Sequence, residues 1–151
     1  MIRFENTIDI ERSPADVFTY LADLEHASDW NWAITSSEKR TPGPVRVGTQ
    51  FRQTRSVPQP GVEVIEIVGL EPGRRIEVAG RLGPFAARLS YELTATVAGT
   101  RLANRVELEP PVPLGPLRGV LGGRIRASVA ENLDVLRRLL EDQRLVSVPS
   151  A

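Results

Sequence analysis

Turn signals recur about every ten residues through the middle of this chain, and their spacing limits the folds it can adopt. They are short stretches rich in proline and glycine at residues 42–44, 58–61, 71–73, 83–84 and 98–99. Between them lie runs that favour β-structure, at 48–57, 62–69, 74–81, 85–96 and 100–108. Connections this short join antiparallel strands, because a parallel crossover needs about a dozen residues or more. The middle of the chain therefore predicts an antiparallel meander.

The start of the chain predicts one strand followed by two short helices. Residues 3–11 alternate between apolar and charged side chains, as in a half-buried strand. Ser13 is suited to cap a helix and Pro14 to occupy its first position, so the first helix should run from Pro14 to about Ala22. A second helical stretch should follow and end near Trp30.

The end of the chain predicts one long amphipathic helix. Apolar side chains recur there at spacings of three and four, namely Leu117, Leu121, Ile125, Val129, Leu133, Leu136 and Leu140. Four glycines, at 115, 119, 122 and 123, weaken the start of this helix. They indicate either a flexible gate or close packing of the helix on the sheet. Residues 145–151 are predicted to form a disordered tail.

Composition excludes several classes of function. The chain has 19 basic and 19 acidic residues, so it lacks the strong positive field of a nucleic-acid-binding protein. It has no cysteine and a single histidine, His26, which argues against zinc, iron-sulfur or thiolate chemistry. We therefore expect no metal and no cofactor. Without an apolar run long enough for a signal peptide or a membrane span, the protein is predicted to be cytoplasmic.

This order of elements resembles the START-like (SRPBCC) superfamily, and within it the polyketide cyclase/dehydrase type. The local marks of the resemblance are Ser-Pro-Ala-Asp-Val-Phe at 13–18, Leu-Ala-Asp-Leu-Glu-His at 21–26, Glu-Pro-Gly-Arg at 71–74 and Gly-Thr-Arg-Leu at 99–102. It implies an α+β helix-grip fold in one domain over residues 1–144. In that fold a curved antiparallel sheet of about seven strands wraps around the C-terminal helix, with two short helices after the first strand. A ligand cavity is expected between sheet and helix.

The alternation within each strand predicts which side chains face the cavity. Most of the strand residues predicted to face inward are apolar. Four of them are polar, namely Asn6, Gln53, Arg55 and Asn104. A buried polar group without a partner costs about 1–3 kcal/mol, so each of the four needs a neighbour, a water or a ligand. Arg55 has the further option of extending to solvent. In the strand at 62–69, apolar residues occur on both faces and favour both possible inward registers. A bulge is therefore expected there.

Two tryptophans lie between the short helices and the second strand. Trp30 either fixes the short helices to the sheet or forms a wall of the cavity, and Trp32 suits its rim. The complete predicted ligand-binding set is Trp30, Trp32, Phe51, Gln53, Arg55, Phe85, Leu89, Tyr91, Asn104, Leu117 and Leu121. No catalytic residue is identified, because His26 is expected at the surface and parity places no carboxylate pair inside the sheet. Glu63 and Glu66 lie on the strand at 62–69, whose register is open.

Two functions remain open. In the first, the cavity binds a hydrophobic small molecule such as a lipid, a polyketide or an isoprenoid. In the second, the protein is a cyclase or dehydratase that orients a polyketone while Arg55, Tyr91 or Gln53 polarises its carbonyl groups. A protein-binding module of the chaperone-activator type is less favoured. Either a monomer or a homodimer is compatible with the sequence.

Overall fold

A computed structural model describes residues 1–146 of the chain. One seven-stranded sheet has the order β1-β7-β6-β5-β4-β3-β2, and every neighbouring pair is antiparallel. Two short helices and a 3-10 turn follow β1, and one long helix ends the chain, which confirms the helix-grip prediction. The elements are β1 Ile2–Ile10, α1 Pro14–Ala22, the turn Leu24–His26, α2 Ala27–Trp30, β2 Ile34–Lys39, β3 Gln50–Arg55, β4 Gly61–Glu71, β5 Arg75–Leu82, β6 Phe85–Ala95, β7 Thr100–Glu109 and α3 Leu117–Val146.

The helix α1 begins where its capping sequence predicts. The Ser13 hydroxyl accepts a hydrogen bond from the backbone N–H of Asp16 at 3.2 Å, and Pro14 occupies the first turn. This cap satisfies one of the amide groups that a helix start leaves unpaired. Val17 and Leu21 are then directed into the core, where both are fully buried.

The strand β4 contains the predicted irregularity. Its pairing with β5 shifts between Ile67 and Gly69, as in a β-bulge. Ile65 and Ile67 are buried, whereas Val62 and Val64 are exposed, so the isoleucines set the inward face. Because side chains alternate along a strand, this register also places Glu63 on the inner face.

The two halves of α3 pack differently. Leu133, Leu136 and Leu140 are completely buried against the main core, which includes Phe51 and Leu21. The first half packs through Leu121 and Ile125 on a second cluster formed by Ile2, Val106 and Leu108. Thus the second half of α3 anchors the helix to the main core, and the first half covers the part of the sheet that contains Ile2, Val106 and Leu108.

Leu117, the first apolar residue of the predicted stripe, is 65% exposed and does not pack on the sheet. Of the two interpretations of the glycine-rich start, close packing has support at Gly122, where an added Cβ would lie 3.3 Å from the Ile2 side chain. At Gly119 and Gly123 the space is open.

The helix α3 continues to Val146, so residues 145 and 146 are helical and not part of a disordered tail. Residues 147–151 of the predicted tail lie outside the described residues. Within residues 1–146, no helix has the length and apolar character needed to cross a bilayer.

Candidate ligand-binding cavity

A cavity of about 300 Å³ lies between the inner face of the sheet and the first half of α3. Strands β3 to β7, the loop after α2 and the helix all contribute side chains to it. Most of its wall is apolar, and six of the residues that form this apolar wall are Leu24, Ile65, Val78, Val106, Leu108 and Ile125. Its volume is at the lower end of the range of about 300–1,000 Å³ for small-molecule sites.

Most of the predicted binding residues line this cavity, namely Trp30, Trp32, Gln53, Arg55, Phe85, Leu89, Tyr91, Asn104 and Leu121. Two others lie elsewhere. Phe51 has the predicted inward orientation, but it is completely buried within the main core and does not reach the cavity. Leu117 is exposed in the first turn of α3, before the helix meets the sheet. Whether the lining residues bind a ligand stays a prediction.

Arg55 forms a buried ion pair and does not extend to solvent. Its Nη2 and Nε atoms lie 2.7 and 3.0 Å from Oε1 of Glu63. The two side chains are only 10% and 8% exposed. The second carboxylate oxygen of Glu63 accepts a hydrogen bond from the Gly83 N–H at 3.1 Å. Each charge is therefore compensated, as burial requires.

Glu63 faces inward, which settles an orientation that the sequence left open. The register of β4 decided this point, and the sequence left that register open. One signal was present, since Glu63 has the same parity as Ile65 and Ile67. Arg55 on the adjacent strand supplies the partner that such a position needs.

The inward-facing amides meet their need for a partner through neighbouring protein groups. The Gln53 amide donates to the Ser37 hydroxyl, and the Asn104 amide donates to the Ser90 carbonyl, both at 3.2 Å. Asn6 lies outside the cavity and donates to the Arg126 carbonyl at 3.1 Å, which ties β1 to α3. Gln53 and Asn104 thus give the sheet side of the cavity fixed polar points.

Tyr91 is a largely buried tyrosine in the wall of the cavity. The residue is 8% exposed and lines the site. No residue in the described part of the chain gives this hydroxyl a hydrogen bond. Burial raises the pKa of Tyr91, so the phenol stays protonated at neutral pH. It can therefore both donate to and accept from a bound molecule.

An asparagine pair that the sequence analysis missed joins α3 to the loop after α2. The Asn132 amide donates to Oδ1 of Asn31 at 3.2 Å, and Oδ1 of Asn132 accepts from the Trp32 N–H at 3.4 Å. Oδ1 of Asn31 also accepts from the Ala33 N–H at 3.1 Å. Both asparagines line the cavity. The available signal was that Asn132 follows Val129 by three, so it is a polar residue on the apolar stripe.

His26 does not line the cavity. Its Nδ1 atom is hydrogen-bonded to the Tyr20 carbonyl at 3.1 Å, and its ring stacks at 4.1 Å from the Tyr20 ring. The side chain is 36% exposed. Its position agrees with the expectation that His26 is a surface residue.

Comparison by sequence connects nearly the whole chain with one family. Residues 1–141 match the family described as polyketide cyclase / dehydrase and lipid transport. Among curated proteins, none matches the sequence significantly.

Solved structures share the fold at low sequence identity. The Zhui aromatase/cyclase from Streptomyces sp. R1128 superposes with a TM-score of 0.77 at 14% identity, over 99% of this chain and 98% of that protein. A START superfamily protein from Mycobacterium smegmatis gives a TM-score of 0.73 at 19% identity, over 91% and 98% of the two chains. The di-domain aromatase/cyclase StfQ of the steffimycin biosynthetic pathway gives a TM-score of 0.77 at 16% identity, over 95% of this chain and 52% of that protein. At these identities the likeness establishes the fold.

Proposed function

Because this chain belongs to the polyketide cyclase / dehydrase and lipid transport family, we propose that its cavity binds a hydrophobic small molecule such as a lipid, a polyketide or an isoprenoid. The observation that carries the proposal is the cavity itself, with an apolar wall and a few fixed polar groups. Such a combination gives affinity through apolar burial and orientation through hydrogen bonds.

The state of the polar groups favours binding over catalysis. Arg55 is already paired with Glu63, which lowers its ability to stabilise a developing negative charge. Tyr91 is held in its neutral form and so is a poor base at neutral pH. General base catalysis works best when a group has a pKa near the working pH. None of the described residues that line the cavity is a histidine, an aspartate or a glutamate.

One observation supports the second candidate, a cyclase or dehydratase. Tyr91, whose hydroxyl has no hydrogen-bond partner among the described residues, lines the same cavity as Gln53, whose amide is fixed by Ser37. Donors held in place can polarise a carbonyl group and keep a flexible polyketone in one conformation. Two of the similar structures are aromatase/cyclases by name, which suits this candidate.

The proposal is tested by native mass spectrometry of the purified protein, followed by uptake of an apolar fluorescent probe. Leu121 lines the cavity, whereas its neighbour Val120 is 61% exposed on the same helix. Leu121→Trp should fill the cavity and abolish uptake, and Val120→Trp should leave uptake unchanged. Equal uptake by both variants would contradict binding in this cavity. Turnover of a polyketone that Tyr91→Phe abolishes would favour the cyclase.

A further inference from the structure

The charged side chains that line the described cavity are all basic, and this bears on the chemistry of its ligand. Two arginines line the cavity, Arg55 and Arg124, and no described lining residue is acidic. Glu63 compensates Arg55 from behind the wall. The Arg124 side chain has no ion pair or hydrogen bond with any residue in the described part of the chain. The cavity therefore carries one uncompensated positive charge, at its helix side.

A second polar group stands beside this charge. Ser128 follows Arg124 by four residues on α3, so the two side chains are neighbours on one face of the helix. Ser128 also lines the cavity, and its hydroxyl makes no hydrogen bond with the described residues. A guanidinium and a hydroxyl at this spacing can donate together to one anionic group.

The other polar groups on the helix side are already used. Asn132, one turn further along α3, is bonded to Asn31 and to the Trp32 backbone. The donors left without a protein partner on the α3 face of the described cavity are thus Arg124 and Ser128. Deeper in the site, Val106 and Leu108 offer only apolar contact.

We propose that Arg124 and Ser128 form an anion subsite, and that the ligand of this cavity is an apolar molecule with one carboxylate end. The inference rests on the proposed binding function and specifies its ligand class. The carboxylate lies against the helix near the solvent, where Arg124 is exposed, and the apolar body extends towards Val106 and Leu108. Arginine suits this role because its planar guanidinium matches a carboxylate with two parallel hydrogen bonds. The neutral alcohol of the same chain lacks the charge and should bind more weakly.

The test compares decanoate with decanol by isothermal titration calorimetry at neutral pH. The wild-type protein should bind decanoate about tenfold more tightly, which corresponds to about 1.4 kcal/mol. Arg124→Gln should remove this preference by weakening decanoate binding more than decanol binding, and Ser128→Ala should reduce the preference. Arg126→Gln is the matched control, since Arg126 lies on the same helix but does not line the cavity. Added salt should weaken decanoate binding in the wild type and have little effect in Arg124→Gln.

The outcomes separate the two proposals. Equal affinity of the wild type for decanoate and decanol would overturn the anion subsite and leave hydrophobic binding intact. An equal loss in the Arg124 and Arg126 variants would also overturn it, because the preference would then come from the general charge of the helix. Failure of both ligands to bind would count against the proposed function itself. Circular dichroism of each variant verifies that the fold is retained.

Discussion

Arg55 and Glu63 are diagonal neighbours on β3 and β4, and two nitrogens of one side chain lie 2.7 and 3.0 Å from one oxygen of the other. The same carboxylate accepts a hydrogen bond from Gly83 in the turn between β5 and β6. This pair thus joins two strands and a turn at one end of the cavity. Arg55 also lines the cavity, so its guanidinium is held in one place at the wall.

Removing one partner of this buried pair should destabilise the protein. We expect Glu63→Ala to lower the free energy of unfolding by about 3 kcal/mol, because Arg55 would be left buried without its counter-charge. The double variant Arg55→Ala with Glu63→Ala should be more stable than the sum of the single effects indicates. Urea denaturation of the four proteins in this cycle measures both quantities. Strictly additive losses would show that the pair contributes no coupling.

Stability at alkaline pH should depend on Tyr91. Burial raises its pKa in the folded protein, whereas in the unfolded chain it has the ordinary value of about 10. As pH rises past about 10, the unfolded state releases this proton first, so stability is complete below that pH and declines above it. At about pH 11 the loss from Tyr91 should be about 1 kcal/mol, and Tyr91→Phe should lack it.

A matched tyrosine provides the comparison for this effect. Burial and the neighbouring Asp29 raise the pKa of Tyr20 to about 12, so it contributes a loss of the same sign. Tyr20→Phe should therefore retain the part of the alkaline loss that Tyr91 causes. Urea denaturation at neutral pH and at about pH 11 measures each share. An unchanged pH dependence in Tyr91→Phe would contradict the burial of its hydroxyl.

The Asn132 side chain should be required to hold α3 on the loop that carries Trp32. Asn132→Ala removes its bonds to Asn31 and to the Trp32 N–H, and should lower the free energy of unfolding by about 1–2 kcal/mol. The loop should loosen, so hydrogen exchange at Trp32 and Ala33 should accelerate more than exchange in β7. Uniform acceleration throughout the protein would indicate a global effect and not a local clamp.

Two glycines should respond in opposite directions to alanine. At Gly99 an added Cβ would overlap the Ile10 carbonyl oxygen and lie 2.8 Å from the Arg12 nitrogen. Gly99→Ala should therefore lower stability by about 2 kcal/mol or more. Gly119 lies in α3 with open space around it, so Gly119→Ala should raise stability by about 0.5–1 kcal/mol. Thermal denaturation distinguishes them, and stabilisation by Gly99→Ala would refute the close approach.

The fold could be predicted because its signals are local. Turn residues predicted the antiparallel meander, and the Ser13-Pro14 cap predicted the start of α1. The spacing of the leucines predicted the helix α3. Each signal depends on neighbours within a few residues, where the physical rules are strong. Leu117 shows the limit of these rules, because periodicity identifies a helix face but not how much of that face the sheet reaches.

The site was harder to predict from the sequence because its polar contacts join segments that are far apart in the chain. Asn31 and Asn132 are 101 residues apart, and only the folded chain brings them together. The position of Glu63 depended on the register of β4, which the bulge near Ile67 made ambiguous. Strand parity identified Gln53, Tyr91 and Asn104 as inward-facing, but it could not say which of them would be left without a partner.

The separation of α3 into an anchoring end and a cavity-lining beginning has an evolutionary consequence. Leu133, Leu136 and Leu140 hold the helix to the core, whereas Leu121 and Arg124 shape the cavity. Substitutions at the second group can change which molecules are accepted while the first group preserves folding. A lineage with this arrangement can therefore acquire new ligand preferences without first accumulating compensating stabilising mutations.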